Sequence, residues 1–296
     1  MPTTLVYPLV TLSAFFWGAN FVLAGPLLTD LSPSWAAALR FLLGAALMLA
    51  IAWRNGEDLL GLAKRHAGTY VALGLIGIAA FNVLFFHAMK TTSADNGALI
   101  MGTNPLLTTL LAAAFLGERA SARRLAALPV ALSGVIVVIS HGDPGRLSRL
   151  HVAEGDVLML AANLTWALFN VLTRRLMPQG SAVGNTALVM TAGAGMLLAV
   201  ALGGGAPFTL PGGRAILALA VMVVGGTVLA YLFWGMGIRH LGAGKTSLFL
   251  NLVPVFAMLV SGMLGTVPTA AQMVGGLLVL AGVLMAMVPA RRPVAA

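Results

Sequence analysis

The organisation of this chain follows from one stretch, Met89–Glu118, which reads MKTTSADNGALIMGTNPLLTTLLAAAFLGE. Charged residues lie towards both of its ends, and the residues between them are mostly apolar. The apolar run is long enough to cross a bilayer as a helix, which needs about 20 residues. Asn104-Pro105 lies near its middle, where a proline removes a backbone donor and bends the helix. The stretch therefore predicts a membrane-spanning helix with a polar kink.

The composition of the whole chain is that of an integral membrane protein. Of its 296 residues, 59% are hydrophobic and only 8% are charged, and the mean hydropathy is +0.98. Soluble domains contain about 25% charged residues. The 35 glycines and 15 methionines suit closely packed helices better than barrel strands, in which apolar and polar residues alternate. We therefore predict an all-α integral membrane protein.

Ten apolar segments separated by turn signals predict ten transmembrane helices. We place them at residues 6–24, 33–53, 67–89, 96–115, 124–140, 155–174, 183–203, 214–236, 245–264 and 271–289.

The distribution of basic residues predicts the orientation of these helices. Cytoplasmic loops contain the excess of Lys and Arg in membrane proteins. Twelve basic residues fall in one set of alternate segments, and the other set contains only Lys90, Arg146, Arg149 and Arg214. The richer set includes both ends of the chain, so we predict that both termini are cytoplasmic. Because the basic residues occur in small groups at the edges of apolar runs, the formal charge of +9 does not indicate a nucleic-acid partner.

The chain contains an internal repeat. A shift of 149 residues aligns Trp17 with Trp166 and Pro105 with Pro254, and it also aligns Gly77 with Gly226. Each repeat has five predicted helices, and an odd number means that the second repeat crosses the membrane in the opposite orientation. We assign the first repeat to residues 1–145, the second to 150–290 and a cytoplasmic tail to 291–296. Inverted repeats are a common plan of secondary transporters, which bind substrate between the halves.

Polar and aromatic side chains on equivalent helices predict a cavity between the two halves. Asn163, Trp166 and Asn170 share one helical face, and Trp17 and Asn20 share a face of the equivalent helix. Packing between helices or an interfacial aromatic belt is the alternative explanation. The residues that we predict to line the cavity are Trp17, Asn20, Asn82, Phe85, Met101, Asn104, Asn163, Trp166, Asn170, Tyr231, Trp234 and Asn251.

Two charged or titratable residues and two prolines complete the candidate site. Arg40 is predicted about 10 Å inside the second helix, where it either faces the cavity and holds a carboxylate or extends back to the lipid headgroups. His87 is a candidate proton carrier or a headgroup contact. Pro105 and Pro254 are predicted hinge points, with a purely structural kink as the alternative.

Several classes of chemistry are absent from the sequence. All eight acidic residues fall in predicted loops or at helix ends, so no carboxylate at the membrane centre is available for a proton relay or a sodium site. The chain has no Cys, and we find no P-loop, no metal-ligand spacing and no Ser/His/Asp arrangement. We therefore predict no catalytic residue, no metal and no cofactor. An enzyme acting on lipid-linked substrates and a scaffold or sensor without a polar cavity are the competing classes.

The motifs and their order resemble the EamA-type members of the drug/metabolite transporter superfamily over essentially the whole chain. The resemblance rests on WGANF at Trp17–Phe21, Ala88-Met89, Asn104-Pro105, Leu116-Gly-Glu118 and a second Leu-Gly at Leu264-Gly265.

This resemblance implies a ten-helix bundle of two inverted repeats in the bacterial inner membrane that exports amino acids or other small metabolites. The aromatic third and eighth helices point to the branch that exports aromatic and neutral amino acids. Other small metabolites or drugs, such as nucleobases, sugars or quaternary amines, are the alternative substrates. The expected partners are a small-molecule substrate and the lipid bilayer, in a monomer or weak homodimer. Thr266 and Val253 depart from the family pattern, which makes the site less symmetric and Glu118 a structural residue at a helix end.

Overall fold

The computed structural model of the chain describes residues 3–88, 91, 100–118, 122–140, 142–143, 145, 154–265 and 269–287. These residues form helices, turns and irregular connections without a β-strand, which confirms the predicted all-α class. Some residues used in the sequence argument lie outside the described part of the chain, namely Met89, Lys90, Arg146, Arg149 and Thr266.

We number the helices in chain order and treat directly consecutive helical segments as one element. The first repeat contains α1 (Thr3–Leu28), α2 (Pro33–Arg54), α3 (Leu59–Gly74, the π-helical Leu75–Ala80 and Phe81–Ala88), α4 (Asn104–Leu116) and α5 (Ala122–Ser140). The second contains α6 (Glu154–Leu176), α7 (Ala182–Gly203), α8 (Gly213–Val221, the π-helical Met222–Leu229 and Ala230–Leu241), α9 (Ala243–Ser247, the 3₁₀ turn Leu248–Asn251 and Leu252–Met263) and α10 (Ala270–Met287).

Length and hydropathy identify six helices of the described residues as long enough to cross a membrane. Helix α1 adds a seventh if its two parts, which are bent by 40° near Phe21, form one span. The bend has a local cause, because the ring of Pro26 clashes with the carbonyl group four residues earlier. Shorter apolar helices occupy Ile100–Leu116, Leu125–Gly134 and Met273–Gly282, so a count of ten spans stays a prediction.

The start of α3 differs from the prediction. The helix begins at Leu59 rather than at residue 67, because the Asp58 carboxylate caps it by accepting a hydrogen bond from Gly61 N at 2.8 Å. The early turns contain Lys64 and Arg65, which an apolar window excludes although helical backbone accepts them. Non-helical angles at His66 mark the break between this polar start and the apolar part.

Contacts between helices follow a two-fold pattern that exchanges α1–α5 with α6–α10. Helix α2 packs on α7, and α5 packs on α10. Helix α1 packs on α8 and α9, just as α6 packs on α3 and α4. The 149-residue repeat in the sequence is therefore matched by equivalent helix contacts in space.

The two π-helical segments occupy equivalent places in α3 and α8. Each widened turn receives a side chain at a glycine: a Cβ atom on Gly77 would lie 2.1 Å from the Phe169 ring, and one on Gly226 would lie 2.2 Å from the Asn20 amide. The shift of 149 residues relates both glycines and also both incoming side chains. π-Helical turns are frequent at functional sites. These two position α1 and α6 against the centre of the bundle.

Close backbone contact also joins α5 to α10. A Cβ atom on Gly134 would lie 2.6 Å from Gly275 O, and a Cβ atom on Gly282 would lie 2.7 Å from Ala131 N. Small residues at such crossings let membrane helices approach closely.

We expect Gly282→Ala to lower the Tm of the purified protein, because overpacking a close contact costs about 1–3 kcal/mol. The matched control is Gly195→Ala in α7, where a Cβ atom meets nothing within 4 Å. Helix propensity predicts that this control is neutral or stabilising. Equal Tm values for the two variants, measured by thermal unfolding in detergent, would contradict the assigned role of the α5–α10 contact.

Candidate functional site

Four aromatic side chains from α1, α6 and α8 meet at the centre of the bundle, and we call them the aromatic cluster: Trp17, Trp166, Tyr231 and Trp234. The ring centroid of Trp17 lies 4.9 Å from that of Trp234 and 5.3 Å from that of Trp166. Tyr231 lies 5.8 Å from both Trp17 and Trp166. The structure thus brings together four of the predicted cavity residues, and their rings pack against one another.

The two-fold relation breaks down within this cluster. The indole Nε1 of Trp17 donates a hydrogen bond to Gly226 O at 3.0 Å. The indole of Trp166, the equivalent residue, is only 4% exposed, and its Nε1 has no hydrogen-bond partner. An enclosed donor without an acceptor is costly in a protein interior.

Buried amides connect α4, α6 and α8. Asn104 Nδ2 donates to Asn163 Oδ1 at 2.6 Å, and Thr108 Oγ1 donates to Asn104 Oδ1 at 3.0 Å. Asn170 Nδ2 donates to Thr108 Oγ1 at 3.4 Å, and Trp234 Nε1 donates to Asn170 Oδ1 at 2.8 Å. These five residues, which we call the amide network, join the aromatic cluster to the start of α4.

The backbone before α4 is interrupted next to this network. The helical residues Ile100–Gly102 are followed by a turn at Thr103, and Pro105 occupies the first turn of α4, where its missing N–H is tolerated. Asn163 Nδ2 donates to Ile100 O at 2.8 Å and to Thr103 Oγ1 at 2.9 Å. The Asn163 amide therefore provides hydrogen bonds to a backbone carbonyl and a side-chain hydroxyl at the break in the helix.

The equivalent element α9 is irregular in a different way. A 3₁₀ turn over Leu248–Asn251 precedes the segment that contains Pro254. Asn251 is 2% exposed, and its Oδ1 atom has no hydrogen-bond partner. The predicted hinge prolines thus both lie beside an irregular turn, and their hinge role stays a prediction.

Arg40 is partly buried beside α3. Its guanidinium carbon is 4.7 Å from the centroid of the Phe41 ring, and Nη2 donates to Asn82 Oδ1 at 3.5 Å. The Nε atom is fully enclosed and has no hydrogen-bond partner. Asn82 Nδ2 in turn donates to Ile78 O at 2.7 Å, which fixes the amide orientation.

A narrow crevice lies between α6, α7 and α8 and reaches two residues of the aromatic cluster. Tyr231 and Trp234 line it, and Thr173 lines it with an enclosed hydroxyl group that has no hydrogen-bond partner. The remaining lining residues are Phe169, Met177, Thr186, Val189, Met190, Gly235 and Ile238.

Other predicted residues lie away from this centre. Phe85 stacks on Phe81 at 5.8 Å, and Met101 packs with it against a small separate apolar cluster. His87 is exposed near the end of α3, and its Nδ1 is 2.8 Å from Val83 O of the same helix. The candidate proton role of His87 stays a prediction.

Glu118 connects the ends of helices from both halves. Its carboxylate accepts hydrogen bonds from Ala243 N at 3.1 Å and Gly244 N at 3.4 Å, and Arg174 Nε lies 4.0 Å away. This carboxylate therefore caps the start of α9.

Sequence reasoning missed several residues at the centre. Phe41 and Phe169 contact Tyr231 at ring distances of 5.6 and 6.4 Å. A usable signal did exist in the repeat, because Gly77 and Gly226 align and mark the two widened turns. Within the described residues, no group of His, Asp or Glu side chains is placed to hold a metal ion.

We expect Asn104→Ala and Asn163→Ala each to destabilise the protein, by about 0.6 to 1.7 kcal/mol as for other hydrogen bonds between membrane helices. The double variant should lose less free energy of unfolding than the sum of the two single losses, because either single change already breaks the hydrogen bond between the two amides. Denaturant unfolding in detergent measures all three, with Thr165→Ala as a control whose hydroxyl bonds only Ala162 O of its own helix. Additive losses would show that the two amides act independently.

Comparison with known proteins agrees with this architecture. A model of the "EamA-like transporter family" matches the chain twice, at residues 4–140 and 153–288. The uncharacterized transporter YyaM of Bacillus subtilis is 39% identical over 283 residues, covering 95% of this chain and 93% of its own.

Two further similarities extend this result. A protein of Salmonella typhimurium named "Probable amino-acid metabolite efflux pump" is 27% identical, with 93% of this chain and 92% of that protein covered. A solved crystal structure has a TM-score of 0.80 at 20% identity over 97% of each chain, which supports the fold alone. With the helix pairing and the twofold match of the family model, the chain belongs to the EamA-like transporter family.

Proposed function

We propose that this membrane transporter exports neutral and aromatic amino acids by alternating access, with the aromatic cluster at the substrate site. The main observation is that the cluster lies where helices α1, α6 and α8 of both halves meet. Flat aromatic walls with a few fixed polar groups suit a small solute that has an apolar side chain and polar ends. The name of the Salmonella relative, an amino-acid metabolite efflux pump, supports the same substrate class.

Alternating access accounts for the closed centre beside an open crevice. The rings of the aromatic cluster pack against one another, and two of them, Tyr231 and Trp234, line the crevice. A substrate that enters the crevice must therefore separate these rings. We assign the motion to the halves 1–145 and 150–290, with the irregular turns beside Pro105 and Pro254 as hinges.

The aromatic cluster also favours a second substrate class. Trp and Tyr rings attract cations through their electron-rich faces, most strongly when the cation is desolvated. Quaternary amines and cationic drugs are therefore the alternative substrates. A substrate panel should include both classes.

We expect purified protein in liposomes to move a labelled aromatic or neutral amino acid. Trp166→Ala should lower the initial rate about tenfold, because an aromatic contact is worth up to about 1.5 kcal/mol. Trp53→Ala is the matched control, since this tryptophan near the end of α2 is 75% exposed. The assay is run with and without a pH gradient. Flux no greater than that of empty liposomes over the amino-acid panel would remove the amino-acid proposal.

We also propose that both termini are cytoplasmic in a bacterial inner membrane, which places the loop after α7 outside and the start of α3 inside. The chain has no native Cys, so single cysteines report this directly. In intact cells, an impermeant maleimide should label Leu210→Cys, where Leu210 is 86% exposed, and not Lys64→Cys. Lys64→Cys should react after permeabilisation, and the reverse result would invert the orientation.

A further inference from the structure

Three side chains around Tyr231 have enclosed polar atoms without a hydrogen-bond partner: Arg40 Nε, Trp166 Nε1 and Thr227 Oγ1. Trp166 packs against the Tyr231 ring, and Thr227 lies one turn before Tyr231 in α8. Arg40 is next to Phe41 in the sequence, and the Phe41 ring is 5.6 Å from that of Tyr231. Two of the three groups can only donate hydrogen bonds. The missing partner of this region is therefore an acceptor.

The positive charge of Arg40 also indicates that an acceptor, and preferably a negatively charged one, is missing from this region. The ion pairs of the described residues are Arg65 with Asp58 and Arg174 with Glu118, and neither involves Arg40. Its contacts are the face of Phe41 and the neutral amide of Asn82. A cation inside a membrane protein is costly unless a counter-charge or water compensates it.

We propose that Arg40 and Trp166, together with Tyr231, form a subsite that binds the carboxylate group of the transported molecule. This inference rests on the proposed function and narrows its substrate class to molecules with a carboxylate next to an apolar or aromatic group. A planar guanidinium presents donors in a fork that matches the two carboxylate oxygens. The indole N–H of Trp166 supplies a further donor.

The position of Tyr231 gives the substrate a route to this subsite. Tyr231 lines the crevice, and its ring lies 5.6 Å from that of Phe41, the neighbour of Arg40 in the sequence. The subsite residues Arg40, Trp166 and Tyr231 have no carboxylate, so they offer the amino group of the substrate no ion-pair partner. Carboxylates without an amino group therefore bind as well.

The test measures binding by quenching of tryptophan fluorescence in the purified full chain, with three probes of similar shape. Phenylalanine and 3-phenylpropionate contain the carboxylate, and phenylalaninamide lacks it. We expect the two carboxylates to bind at least about tenfold more tightly than the amide, the range of a charge-assisted hydrogen bond.

Arg40→Gln should weaken binding of both carboxylates about 10- to 100-fold and leave the amide unchanged. Arg40→Lys, which keeps the charge without the fork, and Trp166→Phe, which keeps a ring without the N–H, should give intermediate losses. Arg54→Gln, at the exposed end of the same helix, is the control and should bind like the wild type.

Several results would overturn the subsite. For the wild type, these results are equal affinity for the amide and the carboxylates, or no binding of either carboxylate. For Arg40→Gln, they are an unchanged preference for carboxylates, or an equal loss of affinity for all three probes. If Arg40→Gln fails to fold, as judged by gel filtration, Arg40→Lys and Trp166→Phe decide, and an unchanged preference in both overturns it. Arg40-dependent binding without flux in liposomes would remove export but keep the subsite. Flux in liposomes together with a carboxylate preference that does not depend on Arg40 would keep export but remove the subsite.

Discussion

Lipid cannot hydrogen-bond a backbone amide, and this constraint governs where the helices of this protein become irregular. At these places, side chains of other helices donate hydrogen bonds to backbone carbonyl groups. Trp17 binds Gly226 O, Ser13 binds Ala230 O at 2.9 Å, and Asn163 binds Ile100 O. The polar residues of the interior are thus concentrated where the backbone departs from a regular helix.

The two-fold arrangement of helices gives a symmetric frame, and the side chains make its centre asymmetric. Trp17 has an acceptor whereas its equivalent Trp166 has none, and Arg40 has an equivalent in Val189 that lacks charge. A symmetric pair of helix bundles can rock with equal ease towards either side. An asymmetric centre can still hold a substrate in one orientation.

Sequence patterns predicted the helical class and the places of the helices, because apolar runs and turn residues are local signals. The shift between Trp17 and Trp166 also predicted which helices of the two repeats are equivalent. The contact of Asn104 with Asn163 and the enclosed Nε of Arg40 could not be predicted, since both depend on helices far apart in the chain. The start of α3 was misplaced because a capped polar turn has no hydropathy signal.

The widened turns of α3 and α8 bear on the ancestry of the chain. The register of 149 residues holds on both sides of them, from Trp17 and Trp166 to Phe85 and Trp234. An insertion in only one half after a gene duplication would have shifted that half against the other. The simplest history is that a single five-helix ancestor already contained the π-helical turn. Such an ancestor would have paired with a second copy of itself, and fusion later joined the two copies in one chain.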